Sequence, residues 1–277
     1  MTEDDKEVQR MYFESITSDL YVSVDEEIED APVAISFGTK KEWVKDRFVD
    51  KPVPLGTFGN IMVVQAEAKV GKSYLMSLLA TVFLNGNAGS RGGDLRGHRD
   101  ERGVVHFDTE QSRADAQKVF KRPYRITGEK HDDYHTFMLR ELNYKQRLGY
   151  IKYWMEEHGD TVGMVFIDGI SDLAKETNDE SEAAYVVDEL MTMSSKYNCC
   201  ICTVIHTNPA SEKSRGHLGG ELLRKAESSI HINRTIQGDY LEVKPVASRG
   251  GWKGSFTYTI DKYALPKVIT PPELKDF

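Results

Sequence analysis

The run Ala66-Glu-Ala-Lys-Val-Gly-Lys-Ser73 lies between a short apolar, β-rich stretch, Ile61–Gln65, and a helical pattern, Lys72–Asn85. A strand–turn–helix whose turn closes on Gly-Lys-Ser limits what the chain can become more than any other feature. The backbone N–H groups of such a turn, with the positive end of the following helix, surround an anion; Ala66 stands where the pattern usually carries its first glycine. The candidate phosphate-binding residues are therefore Ala66, Glu67, Ala68, Lys69, Val70, Gly71, Lys72, Ser73 and Tyr74. In this role the Lys72 ammonium meets the β and γ oxygens of a nucleoside triphosphate, and the Ser73 hydroxyl meets Mg²⁺. ATP and Mg²⁺ are the expected ligands.

Around this turn, short β-rich runs alternate with helical patterns. Strands are expected at Ile61–Gln65, Val104–Asp108, Thr136–Leu139, Met164–Asp168 and Cys200–His206, and helices at Lys72–Asn85, Ser112–Phe120, Lys145–His158 and Glu182–Tyr197. That order predicts an α/β fold with a mostly parallel sheet and helices on both faces. Beyond residue 228 consecutive strands follow, Ser229–Arg234, Tyr240–Lys244 and Phe256–Asp261, which predicts an antiparallel edge at the carboxyl end. The glycine-rich stretch from Asn85 to Gly97 reads as a mobile loop. Pro and Gly in Lys51-Pro-Val-Pro-Leu-Gly read as punctuation, dividing an amino-terminal arm and lead-in (1–51) from a core (52–266) and a tail (267–277).

Parallel strands deliver their last residues to one edge of the sheet, and the chemistry-bearing residues lie at those positions. Met164-Val-Phe-Ile-Asp168 ends in a carboxylate suited to orient water on Mg²⁺, making Ser73 and Asp168 the metal-side pair. Glu110 follows the strand His106-Phe-Asp and is the candidate general base that polarises the attacking water, with Asp108 the alternative base or the cap of the turn. Cys200-Ile-Cys-Thr-Val-Ile-His206-Thr-Asn208 brings His206 or Asn208 to the same edge, where either side chain can register an intact γ-phosphate. The following segment, Pro209 to Gly220, has no apolar periodicity; its Lys213, Arg215 and His217 are the candidate contacts to nucleic-acid phosphates. Arg249, in the turn Ala247-Ser-Arg-Gly-Gly-Trp-Lys253, is a candidate arginine finger for a neighbouring subunit, a role open also to Lys253, Arg224 or Lys225.

Charge is unevenly distributed. Residues 1–30 hold eleven carboxylates against Lys6 and Arg10, a local −9 within a whole-chain −8, so the rest of the chain stands at +1. The overall acidity thus leaves room for a nucleic-acid partner, and the acidic arm suits a basic protein partner. The apolar runs fall short of a bilayer span, so no membrane association is expected. Three cysteines, Cys199, Cys200 and Cys202, are too close together for a disulfide framework, and a cytoplasmic location is expected.

Taken together, Ala66–Ser73, Phe107-Asp-Thr-Glu110, Phe166-Ile-Asp168, Val204-Ile-His-Thr-Asn208 and Arg215-Gly-His-Leu-Gly-Gly-Glu-Leu-Leu-Arg-Lys-Ala-Glu227 resemble the RecA-like ATPases of the RepA and DnaB helicase group. The similarity covers about residues 52–262 and extends in particular to stand-alone ATPases carried by bacterial plasmids and other mobile elements. It implies a RecA-like core that assembles as a homo-oligomeric ring, usually a hexamer, with ATP between subunits. It also implies that Lys72 and Ser73 bind phosphate and metal, Glu110 activates water, Asp168 supports Mg²⁺, His206 senses nucleotide and Arg249 is the finger. The expected function is an ATP-driven motor or loader on single-stranded DNA. A recombinase-type filament and a nucleotide-switched ATPase that binds protein are the alternatives.

Overall fold

Six consecutive residues, Ile61 to Ala66, are buried on both faces, as a strand inside a parallel sheet must be. The computed structural model describes residues 2–207, 216–235 and 240–270. Along the chain, α1 (Glu3–Leu20) precedes a hairpin of β1 (Val33–Val44) and β2 (Arg47–Thr57). Next come β3 (Ile61–Ala66), α2 (Lys72–Asn85), β4 (Leu95–Gly97), β5 (Gly103–Asp108), α3 (Arg113–Phe120), α4 (Arg122–Thr127), β6 (Tyr134–Met138), α5 (Tyr144–His158) and β7 (Val162–Asp168). The remainder is α6 (Glu180–Lys196), β8 (Cys200–His206), α7 (Gly216–Lys225), β9 (Ser228–Arg234), β10 (Leu241–Ser248), β11 (Phe256–Ile260) and β12 (Pro266–Ile269).

A nine-stranded sheet runs in the order β12-β11-β10-β9-β3-β8-β7-β5-β6. From β9 to β6 every neighbour is parallel, and β9 to β12 pair antiparallel. This is the α/β architecture that the alternating pattern predicts, with β9 joining the parallel part through β3. Alternation along the strands sorts the core into two layers. Met62, Val64, Met164, Phe166, Cys200 and Cys202 face α2, whereas Val63, Val165, Ile167 and Ile201 face α5, α6 and α7.

Helix α2 is buried nearly all round, from Leu75 to Leu84, because a second sheet covers its outer side. That sheet has the order β2-β1-β4 and contributes Ala34, Ile35, Leu55 and Leu95 to the same core. The expected boundary at Pro52 therefore falls inside β2, and the hairpin is part of the body. Pro52 and Pro54 read as punctuation, yet β2 is an edge strand, where a missing N–H costs no ladder bond. The stretch read as a mobile loop is packed as well: a Cβ on Gly97 would lie 2.2 Å from the Val82 carbonyl oxygen, so glycine there permits β4 to touch the backbone of α2. At the carboxyl end, β12 extends the sheet beyond the expected core limit of 266.

Residue contacts divide the chain into Met1–Ala31 and Pro32–Phe277. Within the first unit, α1 opens with a Thr2–Asp5 capping box and carries an Arg10–Glu14 ion pair at 3.2 Å, and none of its residues is buried. Among the described residues no helix is long and apolar enough to cross a membrane.

Candidate functional site

The parallel register places the carboxyl ends of four strands side by side. Ala66 pairs with His206, Asp108 with Asp168, and Asp168 with Val204. The turn after β3 exposes Glu67, Ala68 and Lys69, buries Val70, and enters α2 through Gly71 at φ 99°. Glycine is required there: beyond the left-handed φ, a Cβ would lie 2.8 Å from the Leu241 Cδ1. No side chain caps α2, which leaves its first N–H groups for an anion. Tyr258, fully buried on β11, donates from its hydroxyl to the Gly71 carbonyl at 3.1 Å, so the antiparallel strands brace the phosphate loop.

Lys72 lies inward and is buried. Its ammonium donates to the Glu67 carbonyl at 2.7 Å, reaches the Ala66 carbonyl at 3.4 Å, and stands 3.1 Å from the His206 Nδ1. An ammonium can only donate, so Nδ1 accepts and the neutral imidazole carries its proton on Nε2. That Nε2 faces the Glu110 Oε1 at 3.5 Å. Lys72, His206 and Glu110 thus form one relay of donors and acceptors across β3, β8 and the turn after β5. Burial presses the Lys72 ammonium below its ordinary pKa, against the opposing pull of Asp168 and Glu110. A hydrogen bond from the His206 side chain, outweighing burial, holds the Glu110 carboxyl below its ordinary value and keeps it ionised.

Asp108 is occupied as a turn cap. Its Oδ1 accepts from the Glu110 and Gln111 backbone N–H groups at 3.1 and 2.8 Å, and its Oδ2 accepts from the Gln111 Nε2 at 2.7 Å. Between its two readings as base and cap, the geometry favours the cap. Thr109 ties this turn to the end of β7, its backbone N–H donating to the Asp168 carbonyl at 3.1 Å and its hydroxyl to Asp172 Oδ2 at 2.7 Å. Gly169, at φ 108°, makes room for that clamp, since a Cβ there would fall 2.2 Å from the Thr109 Oγ1.

Burial pushes the Asp168 carboxyl up to about 7, reinforced by the charges of Asp108 and Glu110 and opposed by Lys72 and His206. Three carboxyl groups at one sheet edge with a hydroxyl, Ser73, at the start of α2 make a hard-oxygen environment, with the Lys72 ammonium beside it. Such a donor set fits Mg²⁺, which takes few protein ligands and keeps water and phosphate oxygens. Ser73 would hold the ion directly and Asp168 through water; when bound, the ion neutralises phosphate charge. In the folded protein Asp168 holds its proton more tightly than in the unfolded chain, so between about pH 4 and 7 the native state binds more protons. The contribution of Asp168 to stability is therefore present at low pH and is lost as pH rises toward 7. Asp168→Asn is expected to flatten this part of the stability profile, checked by denaturant midpoints across that range without nucleotide.

Two cations here escape sequence reading. Arg122 is buried beside α2, stacks 3.7 Å over the Tyr74 ring, and donates to the Ser73 carbonyl at 3.1 Å, fixing the first turn of the helix. The available signal was Pro123 in the first turn of α4, which separates α4 from α3 and turns Arg122 inward. Arg147 on α5 donates to the Leu139 and Asp172 carbonyls, at 3.2 and 3.1 Å, joining the loops after β6 and β7.

Asn208, Lys213 and Arg215 lie outside the described residues, and His217 is exposed in the first turn of α7. Arg249 is exposed at the opposite edge of the sheet: its N–H donates to the Glu227 carbonyl at 2.9 Å, and the Glu227 N–H in turn donates to Ile61 at the start of β3. It does not join Lys72 within one chain. Arg224 and Lys225 are exposed in the last turn of α7, where Arg224 pairs with Glu221.

No curated protein matches the sequence. A family model described as an AAA domain matches residues 49–212, over half of the chain and spanning the phosphate loop, Glu110, Asp168 and His206. Its match begins within β2, in keeping with a hairpin that covers α2. With a phosphate loop and the carboxyl groups of Asp108, Glu110 and Asp168 gathered at one sheet edge, and a family match over more than half its length, the chain belongs to the AAA-domain family of P-loop ATPases.

Proposed function

We propose that this ATPase is a motor or loader acting on single-stranded DNA, a RecA-like enzyme of the RepA and DnaB type, serving replication or mobilisation of a plasmid or other mobile element in the cytoplasm. The observation that carries the reading is the Lys72–His206–Glu110 relay. Lys72 has His206 and two carbonyls as its hydrogen-bond partners. A triphosphate takes over the ammonium, releases His206 to the γ-phosphate, and frees Glu110 to orient water. His206 is also the last residue of β8, and the chain leaving it carries Lys213 and Arg215 before returning at α7. Nucleotide state is thereby joined to the segment best suited to hold phosphates.

Assembly as a homo-oligomeric ring, hexameric by resemblance, would complete the site. Arg249, at the far edge from its own Lys72, suits a finger acting on a neighbour. The test is steady-state ATPase rate with and without single-stranded DNA at several salt concentrations. Stimulation of tenfold or so that fades steeply with salt is expected of phosphate contacts. A rate indifferent to DNA would sink the motor reading. A second reading, an ATPase switching a protein assembly, is favoured by α1, which leaves Val8, Met11, Tyr12 and Phe13 exposed on an acidic helix suited to a basic partner.

A further inference from the structure

Trp43 on β1 and Phe48 on β2 are directly opposed and meet edge to face, with ring centroids 4.8 Å apart. They are 61% and 66% exposed, whereas Trp154 and Trp252 are each 5% exposed. The rings sit near the end of a free ribbon. β4 pairs with β1 only at Ile35–Phe37, so among the described residues the strands from Thr39 to Val44 and from Arg47 to Pro52 pair only with each other. Six residues at about 3.3 Å each carry the tip roughly 20 Å beyond that pairing. Lys45 and Asp46, at φ 48° and 81°, form the two-residue turn whose twist matches the strands, which fixes the register that sets the rings together.

The charge around the rings is basic in an acidic protein: Lys40, Lys41, Lys45, Arg47 and Lys51 against Glu42, Asp46 and Asp50. Glu42 engages Lys51 at 2.8 Å and Lys40 at 3.8 Å on the reverse face of the ribbon. Lys41 shares the aromatic face, across from Asp50, Lys45 is exposed in the turn at the tip, and Arg47, paired with Val44, is exposed on the reverse face. Exposed flat rings among exposed cations are what unpaired bases on a phosphate chain require: every base has a stacking face, and each phosphate needs a counter-charge.

We infer that the β1–β2 tip is a binding element for single-stranded DNA, distinct in sequence from residues 209–220, in which bases stack on Trp43 and Phe48 and phosphates meet Lys41 and Lys45. The inference rests on the proposed DNA-directed function and adds a second, aromatic contact to it.

The test uses the full-length protein and a labelled oligo(dT). Trp43 is the exposed tryptophan, so oligonucleotide titration is expected to quench the solvent-exposed part of the intrinsic emission. By anisotropy, W43A/F48A is expected to bind about five- to a hundred-fold more weakly, with W43F/F48Y close to wild type. K41Q/K45Q is expected to lower the salt slope of log K by about 0.7 for each phosphate left without its cation. Wild-type affinity in W43A/F48A, with no quench in the parent, would overturn the proposal and leave the motor reading intact. Failure of the parent protein to bind oligo(dT) would overturn both. A loss of binding in W43A/F48A that tracks a change in sedimentation would mark the tip as a contact between subunits, and would also overturn it.

Discussion

Glu110→Gln is expected to lower kcat for ATP hydrolysis by about a hundred- to ten-thousand-fold with little change in KM. Gln keeps the shape and can still accept from the His206 Nε2, but it cannot take a proton from water. The other nearby carboxylates are poor substitutes: Asp108 is engaged by two backbone N–H groups and the Gln111 amide, and burial drives Asp168 toward its protonated form. The measurement is a steady-state rate paired with nucleotide affinity. A variant as fast as wild type would show that another group is the base, whereas equal losses in rate and affinity would make Glu110 a binding residue.

Lys72→Met should produce the second large effect, at the level of binding. A hydrogen bond to a charged group contributes about 1.5–3 kcal/mol, so losing the ammonium from the β and γ oxygens weakens nucleotide binding by roughly ten- to a hundred-fold. Its effect on the empty protein is expected to have the opposite sign. Lys72 is buried and its ammonium is held below its ordinary pKa by desolvation, so an apolar side chain of similar length removes a buried charge. Melting temperature without nucleotide should hold or rise, while the rise that saturating nucleotide gives the parent should vanish. A variant that melts lower in both conditions would show instead that the interactions of Lys72 with Glu67, Ala66 and His206 are structural.

Most of the site was legible because it is local. Strand, turn and helix around Ala66–Ser73 are set by adjacent residues, and parallel strands must end at one edge, so Glu110, Asp168 and His206 converge without any long-range information. What the sequence hides depends on distant partners. Pro52 and Pro54 read as a break because nothing nearby shows that β2 is an edge strand. Gly97 reads as slack because the α2 backbone it touches, at Val82, is 15 residues earlier. Arg122 has only the neighbouring Pro123 to hint at its place, and its burial follows from Tyr74, 48 residues earlier, lying beneath it. The acidic arm reads as an arm on charge alone, and its helix emerges from capping and the ion pairs of Arg10.

The three cysteines at and just before the start of β8 have a chemical consequence. Cys200 and Cys202 point into the layer of α2, where the Cys202 Sγ lies 3.6 Å from the Met76 Sδ, and Cys199 points into the opposite layer. All three are fully buried, and burial raises each thiol, that of Cys199 to about 12. The thiolate is the form that oxidants and alkylating reagents attack, and at neutral pH almost none is present. Pairing is also out of reach, because residues two apart on one strand face are about 7 Å apart, at the limit of a disulfide, and Cys199 faces the other way. While the fold lasts, the native thiols are silent, and a cysteine introduced on the surface would be the one that reacts.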